Sequence, residues 1–193
     1  MYKIVITGEK GGTGKSTITA LLIEYLNFLN KKVKLIDTDP LQISSTFINN
    51  CKEEGRILSV ENADYQVVDT AGVLGASLLH INQANIVIVP FRAHYADLLV
   101  VIPWFSSLNK KLKEKVLFLP NYWRKTKEQK EGLNNLEKTI KEEEAGRIIK
   151  PLSDKPAQYG IIINGSKNNF FSNSRISSEA KEVMEIIVKS CEK

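Results

Sequence analysis

The chain has 193 residues, with 42% hydrophobic and 25% charged side chains and a net charge of +5. That is the make-up of one globular domain, spanning 1–193, with enough chain for a full core. No apolar run approaches the ~20 residues of a membrane span. Met1 leads straight into an apolar strand, so no secretory leader is expected either. Cys51 and Cys191 lack metal or redox spacing, which excludes a disulfide scaffold and makes both reduced packing residues of a cytoplasmic protein.

In chain order, the apolar stretch 2–7 predicts a first strand. It is followed by Glu9-Lys10-Gly11-Gly12-Thr13-Gly14-Lys15-Ser16-Thr17. Glycines at this density let backbone N–H groups turn onto a polyphosphate, Lys15 reaches the outer phosphates, and Ser16 offers a hydroxyl to Mg²⁺. A helix over 15–30, with Ile18, Leu21, Leu22, Tyr25, Leu26 and Leu29 at helical spacing, adds its positive N-terminal end to the same place. A second strand over 33–37 ends in Asp37-Thr38-Asp39-Pro40, and a helix over about 42–53 follows. A third strand over 65–69 ends in Asp69-Thr70-Ala71-Gly72. A short helix around 75–83, a strand over 85–90, a helix over 96–109, a strand over 115–119 and a charged helix over 125–144 come next. Short strands are expected at 148–149 and 161–163, and a last helix runs from Ser177 or Ser178 through Val188. Alternation of this kind implies an α/β fold: a three-layer arrangement with a mostly parallel, twisted sheet covered by helices on both faces. Asp37, Asp39 and Asp69 all fall where a strand gives way to a loop, the edge at which such sheets bind ligands.

The loop is not the ordinary G-x-x-x-x-G-K-[ST] pattern, because Glu9 stands where its first glycine would be. The string Lys10-Gly11-Gly12-Thr13-Gly14-Lys15-Ser16-Thr17 instead resembles the deviant Walker A motif of the ParA/MinD family of P-loop ATPases. The segment Asp37 to Gln42 resembles that family's D-x-D-P-Q signature, with Leu41 inserted before the glutamine. The run 65–72 resembles its Walker B and switch II segment. The resemblance covers about the first 125 residues and implies an ATPase that binds ATP and Mg²⁺. It also implies a homodimer in the ATP state, in which Lys10 crosses to the partner's phosphates. The short chain, with no helix-turn-helix before Met1, is most similar to the small plasmid-type (ParF-like) partition ATPases. These work with nonspecific DNA and a separate centromere-binding adaptor, so a nucleoid-associated protein that segregates plasmid DNA is expected.

On this reading residues 11–17 (Gly11, Gly12, Thr13, Gly14, Lys15, Ser16, Thr17) cradle the phosphates. Ser16 holds the metal, Asp69 does so through water, and Asp37 supports the metal shell or Asp39. Asp39 orients the attacking water, and Lys10 and Lys15 neutralise the transferred phosphoryl group. Asn121, after the fifth core strand, is either an adenine contact or a turn residue. The window 109–130 holds Lys110, Lys111, Lys113, Lys115, Arg124, Lys125, Lys127 and Lys130 against Glu114 and Glu128, a net +6. It is either a solvated helix face or the DNA-binding patch, and the resemblance favours DNA, bound by counterion release. Tyr122 and Trp123 within it are expected to pack. The last helix carries mixed charge without a lysine-rich face, so membrane docking is not expected. A MinD-like membrane-associated positioning ATPase and a small-molecule synthetase on the same fold remain the alternatives.

Overall fold

The computed structural model describes residues 1–53, 62–72, 77–155, 158–159, 169–172 and 178–192. In chain order it contains β1 (Tyr2–Ile6), α1 (Lys15–Phe28), β2 (Val33–Asp37), α2 (Ile43–Glu53), β3 (Tyr65–Asp69), α3 (Leu78–Asn82) and β4 (Ile86–Phe91). Then come α4 (Tyr95–Ser107), α5 (Lys110–Lys113), β5 (Val116–Pro120), α6 (Lys127–Glu143), β6 (Arg147–Ile148), a 3-10 turn (Phe170–Ser172) and α7 (Ser178–Cys191). The six strands form one sheet in the order β2-β3-β1-β4-β5-β6, and every pairing is parallel.

The central strands β1, β3, β4 and β5 are apolar-rich runs buried on both faces, as a parallel sheet demands. Their period of two divides the core into two layers. Ile4, Ile6, Tyr65, Val67, Ile86, Ile88, Leu117 and Leu119 face one layer, which α1, α2, the 3-10 turn and α7 complete. Val5, Val68, Val87, Val89, Phe91, Val116 and Phe118 face the other, closed by α4, α5 and α6. The expected three-layer α/β fold is therefore present. Helix α1 is the central rod of the first layer, buried almost without a break from Ile18 to Leu26. It stops in a Schellman turn, with Asn30 left-handed (φ 55) and Lys31 N–H donating to Leu26 O at 2.9 Å.

Two expectations need correction. The helix expected over 96–109 is two helices: Leu108 is extended, and Asn109 caps α5 by accepting from Leu112 N–H. The short strand expected at 148–149 is Arg147–Ile148. The strand expected at 161–163 lies outside the described residues, as does the start of the helix expected around 75.

The lysine-rich window does not make one patch either. Lys110 to Lys115 precede β5 and Arg124 to Lys130 follow it, so the strand places them at opposite edges of the sheet. The first group is already engaged in the fold. Lys113 pairs with Glu143 at 2.6 Å, Lys110 with Glu144 at 3.8 Å, and Lys115 Nζ donates to Ala84 O at 2.6 Å. Helix α6 starts at the one edge and ends at the other, which is why residues at its end, Glu143 and Glu144, reach the first group.

Both cysteines are buried, and burial pushes the Cys191 thiol up to about 12. Native protein at pH 8 should therefore resist iodoacetamide at both positions and label at both in guanidinium, read by intact mass.

Candidate functional site

The loop after β1 is shaped by its neighbours. Gly14 caps α1 in a left-handed conformation (φ 94), and no side chain caps the helix. The first intrahelical bond at this end runs from Ile18 N–H to Gly14 O at 2.9 Å. The N–H groups of Lys15, Ser16 and Thr17 thus open toward an anion rather than into the helix. A side chain at Gly14 would be strained and would run into the amide nitrogen of Asn121. That nitrogen donates to Thr13 O at 2.9 Å, Arg92 donates to Gly12 O at 2.7 Å, and Lys15 Nζ donates to Lys10 O at 3.2 Å. Three side chains hold loop carbonyls and leave the loop's N–H groups for a ligand.

Lys15 is buried, and burial lowers its pKa while Asp69 and Asp39 pull the other way. Gly72 passes close beneath it: a Cβ there would lie 3.1 Å from Lys15 Nζ and 3.4 Å from the Lys10 backbone. The segment after β3 therefore touches the phosphate loop directly.

Asp69 ends β3 in register with Ile6 on one side and Asp37 on the other. It is fully buried. One carboxylate oxygen accepts from Ser44 Oγ at 2.5 Å, and the other has no protein partner. Burial raises its pKa to about 6, the Ser44 and Ser16 hydroxyls and Lys15 pull it down, and Asp37 adds to the rise. A buried carboxylate oxygen left over beside the Ser16 hydroxyl suits a divalent cation or its water. Among the described residues no group of three or more His, Cys, Asp or Glu is arranged around a metal. Magnesium bound here would complete its shell with phosphate oxygens and water.

The other two acids differ in what they hold. Asp37 accepts from Asp39 N–H at 3.1 Å and from Ser45 N–H at 2.9 Å, so both its oxygens brace the 38–45 loop and the start of α2. Asp39 is half-buried, and one of its oxygens accepts from Leu41 N–H at 2.9 Å. Its charge bears on Lys15.

Lys10 points elsewhere. Its amine pairs with Asp97 in the first turn of α4. Asp97 is 2% exposed, and its second oxygen accepts from Arg92 N–H at 2.8 Å.

The family model described as the CobQ/CobB/MinD/ParA nucleotide binding domain matches residues 4–177. The chain belongs to that family. Solved ParA/MinD structures share the fold. One is a plasmid partition protein of Borrelia burgdorferi B31 bound to AMPPNP (20% identity, 97% of this chain and 98% of that one, TM-score 0.70). Another is the MinC:MinD cell division complex of Aquifex aeolicus (19%, 98% and 96%, 0.73). A third is apo McdA of Cyanothece (16%, 97% and 99%, 0.73). A short stretch of 38 residues is 53% identical to an iron-sulfur cluster carrier protein of Methanocaldococcus jannaschii, covering 20% of this chain and 13% of that protein.

In this ParA/MinD-family chain the structure brings residues 10–17, Asp37, Asp39 and Asp69 to one edge of the sheet. Asn121 reaches the same place as a brace of the loop, with its amide nitrogen committed to Thr13. Sequence reasoning missed Arg92, Asp97 and Ser44. None stands in a motif, and only Asp97, an acid in the first turn of an otherwise apolar helix, left a local mark.

Lys15→Ala should abolish binding of a fluorescent ATP analogue. Asn121→Ala frees the Thr13 carbonyl and should weaken that binding about fivefold or more, on the ~1–3 kcal/mol cost of a buried polar group left without its partner.

Proposed function

We propose that this protein is a partition-type ATPase: it dimerises on ATP, binds nonspecific DNA, and segregates or positions a cargo, with hydrolysis as the switch. Plasmid DNA is the cargo this reading favours, a centromere-binding adaptor its stimulating partner, and the nucleoid its place in the cytoplasm. The observation that carries the reading is Lys10. It sits at the mouth of a phosphate loop that already has Lys15, and its amine lies against α4 at a half-exposed edge. A lysine so placed adds nothing to its own cradle and is available to a second copy docked face to face.

In the mechanism, ATP lies with its phosphates on residues 11–17, where the loop N–H groups, the open end of α1 and Lys15 neutralise their charge. Ser16 and Asp69 would hold Mg²⁺, which would supply positive charge to the phosphates. Asp39 accepts a hydrogen bond from the attacking water and aligns it with the γ-phosphorus. Asp37 keeps Asp39 in place by holding the turn that carries it. Phosphoryl transfer needs positioning and charge more than covalent chemistry, so Lys10 from the partner completes the site at the moment of dimerisation. Gly72, lying against Lys15 and the Lys10 backbone, couples the segment after β3 to the phosphates, as switch segments do.

A membrane-docking role has less support. The apolar side of α7, with Ala180, Val183, Met184, Ile187, Val188 and Cys191, is buried in the core, and among the described residues no helix is long and apolar enough to cross a membrane.

Light scattering with ATP tests the reading. The wild type should run as a dimer with ATP and a monomer with ADP. Lys10→Ala should bind ATP within about twofold of wild type and stay monomeric. A Lys10→Ala protein that dimerises as well as wild type would remove the cross-subunit role.

A further inference from the structure

A cavity of about 460 Å³ opens beside the phosphate loop, lined by Arg92, His94, Tyr122, Arg124, Thr126 and Asp154, with Gln129 at its floor. None of the roles assigned above uses it. It is built rather than incidental. Tyr122 and Lys125 are both held left-handed (φ 54 and 58), a conformation that costs about 1–3 kcal/mol per non-glycine residue and persists only where surroundings enforce it. Gln129, 1% exposed, is the enforcer: its Oε1 accepts from Arg124 N–H at 2.8 Å and its Nε2 donates to Tyr122 O at 3.0 Å. The loop so fixed carries Arg124, whose guanidinium is oriented by Asp154 while its side chain stays 71% exposed. Across the cavity, the Arg92 guanidinium lies over the Tyr122 ring, 4.9 Å from its centroid. His94 pairs with Glu128 at 2.9 Å on the rim. Exposed Lys125, Lys127 and Lys130 continue the basic surface, with Glu131 facing Lys127.

We propose that this cavity is where the DNA backbone is held, a phosphodiester seated between the Arg92 and Arg124 guanidiniums. The inference rests on the partition reading and deepens it by naming the DNA contact. Arg92, held at Gly12 O through Nη2, and Arg124, held at Asp154 through Nε and Nη2, line one cavity, and their remaining N–H groups suit a phosphate, which takes hydrogen bonds from arginine. At the other edge of the sheet Lys113 meets Glu143, Lys110 meets Glu144 and Lys115 meets the Ala84 carbonyl, whereas the half of the basic window after β5 is joined by Arg92 from after β4 around one cavity, and that half is assigned the DNA surface.

The same arginine ties the cavity to the nucleotide. Arg92 bonds the loop at Gly12 O, and its backbone N–H shares the buried Asp97 carboxylate with Lys10. When Lys10 leaves for a partner's phosphates, Asp97 keeps its charge in a buried place with one cation fewer, a state that is costly unless another donor moves in. Arg92 is the donor at hand. Nucleotide-driven dimerisation therefore re-sets one wall of the DNA cavity.

The test is fluorescence anisotropy of a labelled random-sequence duplex with ATP across a salt series, on wild type, Arg124→Gln, Arg92→Gln and the double variant Lys110→Gln/Lys111→Gln. Arg124→Gln should keep ATP binding and dimerisation, raise the Kd for DNA about tenfold near 0.1 M salt, and lower the salt slope by about one. Arg92→Gln should weaken DNA at least as much and shrink the difference between ATP and ADP. The Lys110/Lys111 variant should match wild type. Wild-type binding that survives unchanged in both arginine variants overturns the cavity and leaves the partition reading standing. No DNA binding by wild type in any nucleotide state overturns both. Binding to phosphatidylglycerol vesicles instead of duplex, lost in the same arginine variants, overturns the DNA assignment.

Discussion

A backbone loop that presents its N–H groups to an anion must turn its carbonyls outward, and those carbonyls need donors of their own. Much of the geometry at this edge of the sheet follows from that demand. Thr13 O is met by Asn121, Gly12 O by Arg92 and Lys10 O by Lys15, so residues after β5, after β4 and within the loop itself are all committed to it. Two of the braces come from the ends of β4, which neighbours β1, and of β5, the next strand beyond it. The glycine at the start of α1 is part of the same solution, because Asn121 can approach Thr13 only where there is no Cβ in the way.

The acids obey a complementary rule. Asp37 ends β2 half-buried and Asp69 ends β3 fully buried, and burial must be offset by donors or by a cation. Asp37 is satisfied by two backbone N–H groups and so acts on the loop. Asp69 is satisfied on one side only, with an oxygen left over next to Ser16. The difference in partners separates a bracing acid from a metal-facing one although both sit at the same level of the sheet.

Much of this was legible in the sequence, and the reason is periodicity and punctuation. Strands buried on both faces leave apolar runs, α1 leaves a helical spacing, and a phosphate loop has a short list of acceptable residues, so the layers and residues 10–17 could be named at once. What could not be read was which side chains from segments far apart in the chain touch one another. The basic window looked continuous because its residues are neighbours in sequence, yet five strand residues carry its halves to opposite edges. Asn121 could be placed after a strand, but not the carbonyl 108 residues away that takes its amide. Arg92 and Asp97 belong to no motif at all, and only folding brings them to Lys10. The break between α4 and α5 comes at an extended Leu108 with Asn109 capping α5, where apolar spacing alone gives no stop.

The pairing of Lys10 with a nearly solvent-free Asp97 has a consequence for how an assembly of two copies would respond to nucleotide. In a face-to-face dimer with two-fold symmetry, whatever one lysine gives up the other gives up too. The free energy of breaking one such pair would therefore enter the association constant twice, as a squared factor. Association would stay rare while only one of the two cradles is filled and become favourable when both are. A contact inside a single chain would in this way set a threshold for the pair, turning a graded supply of nucleotide into a steep response.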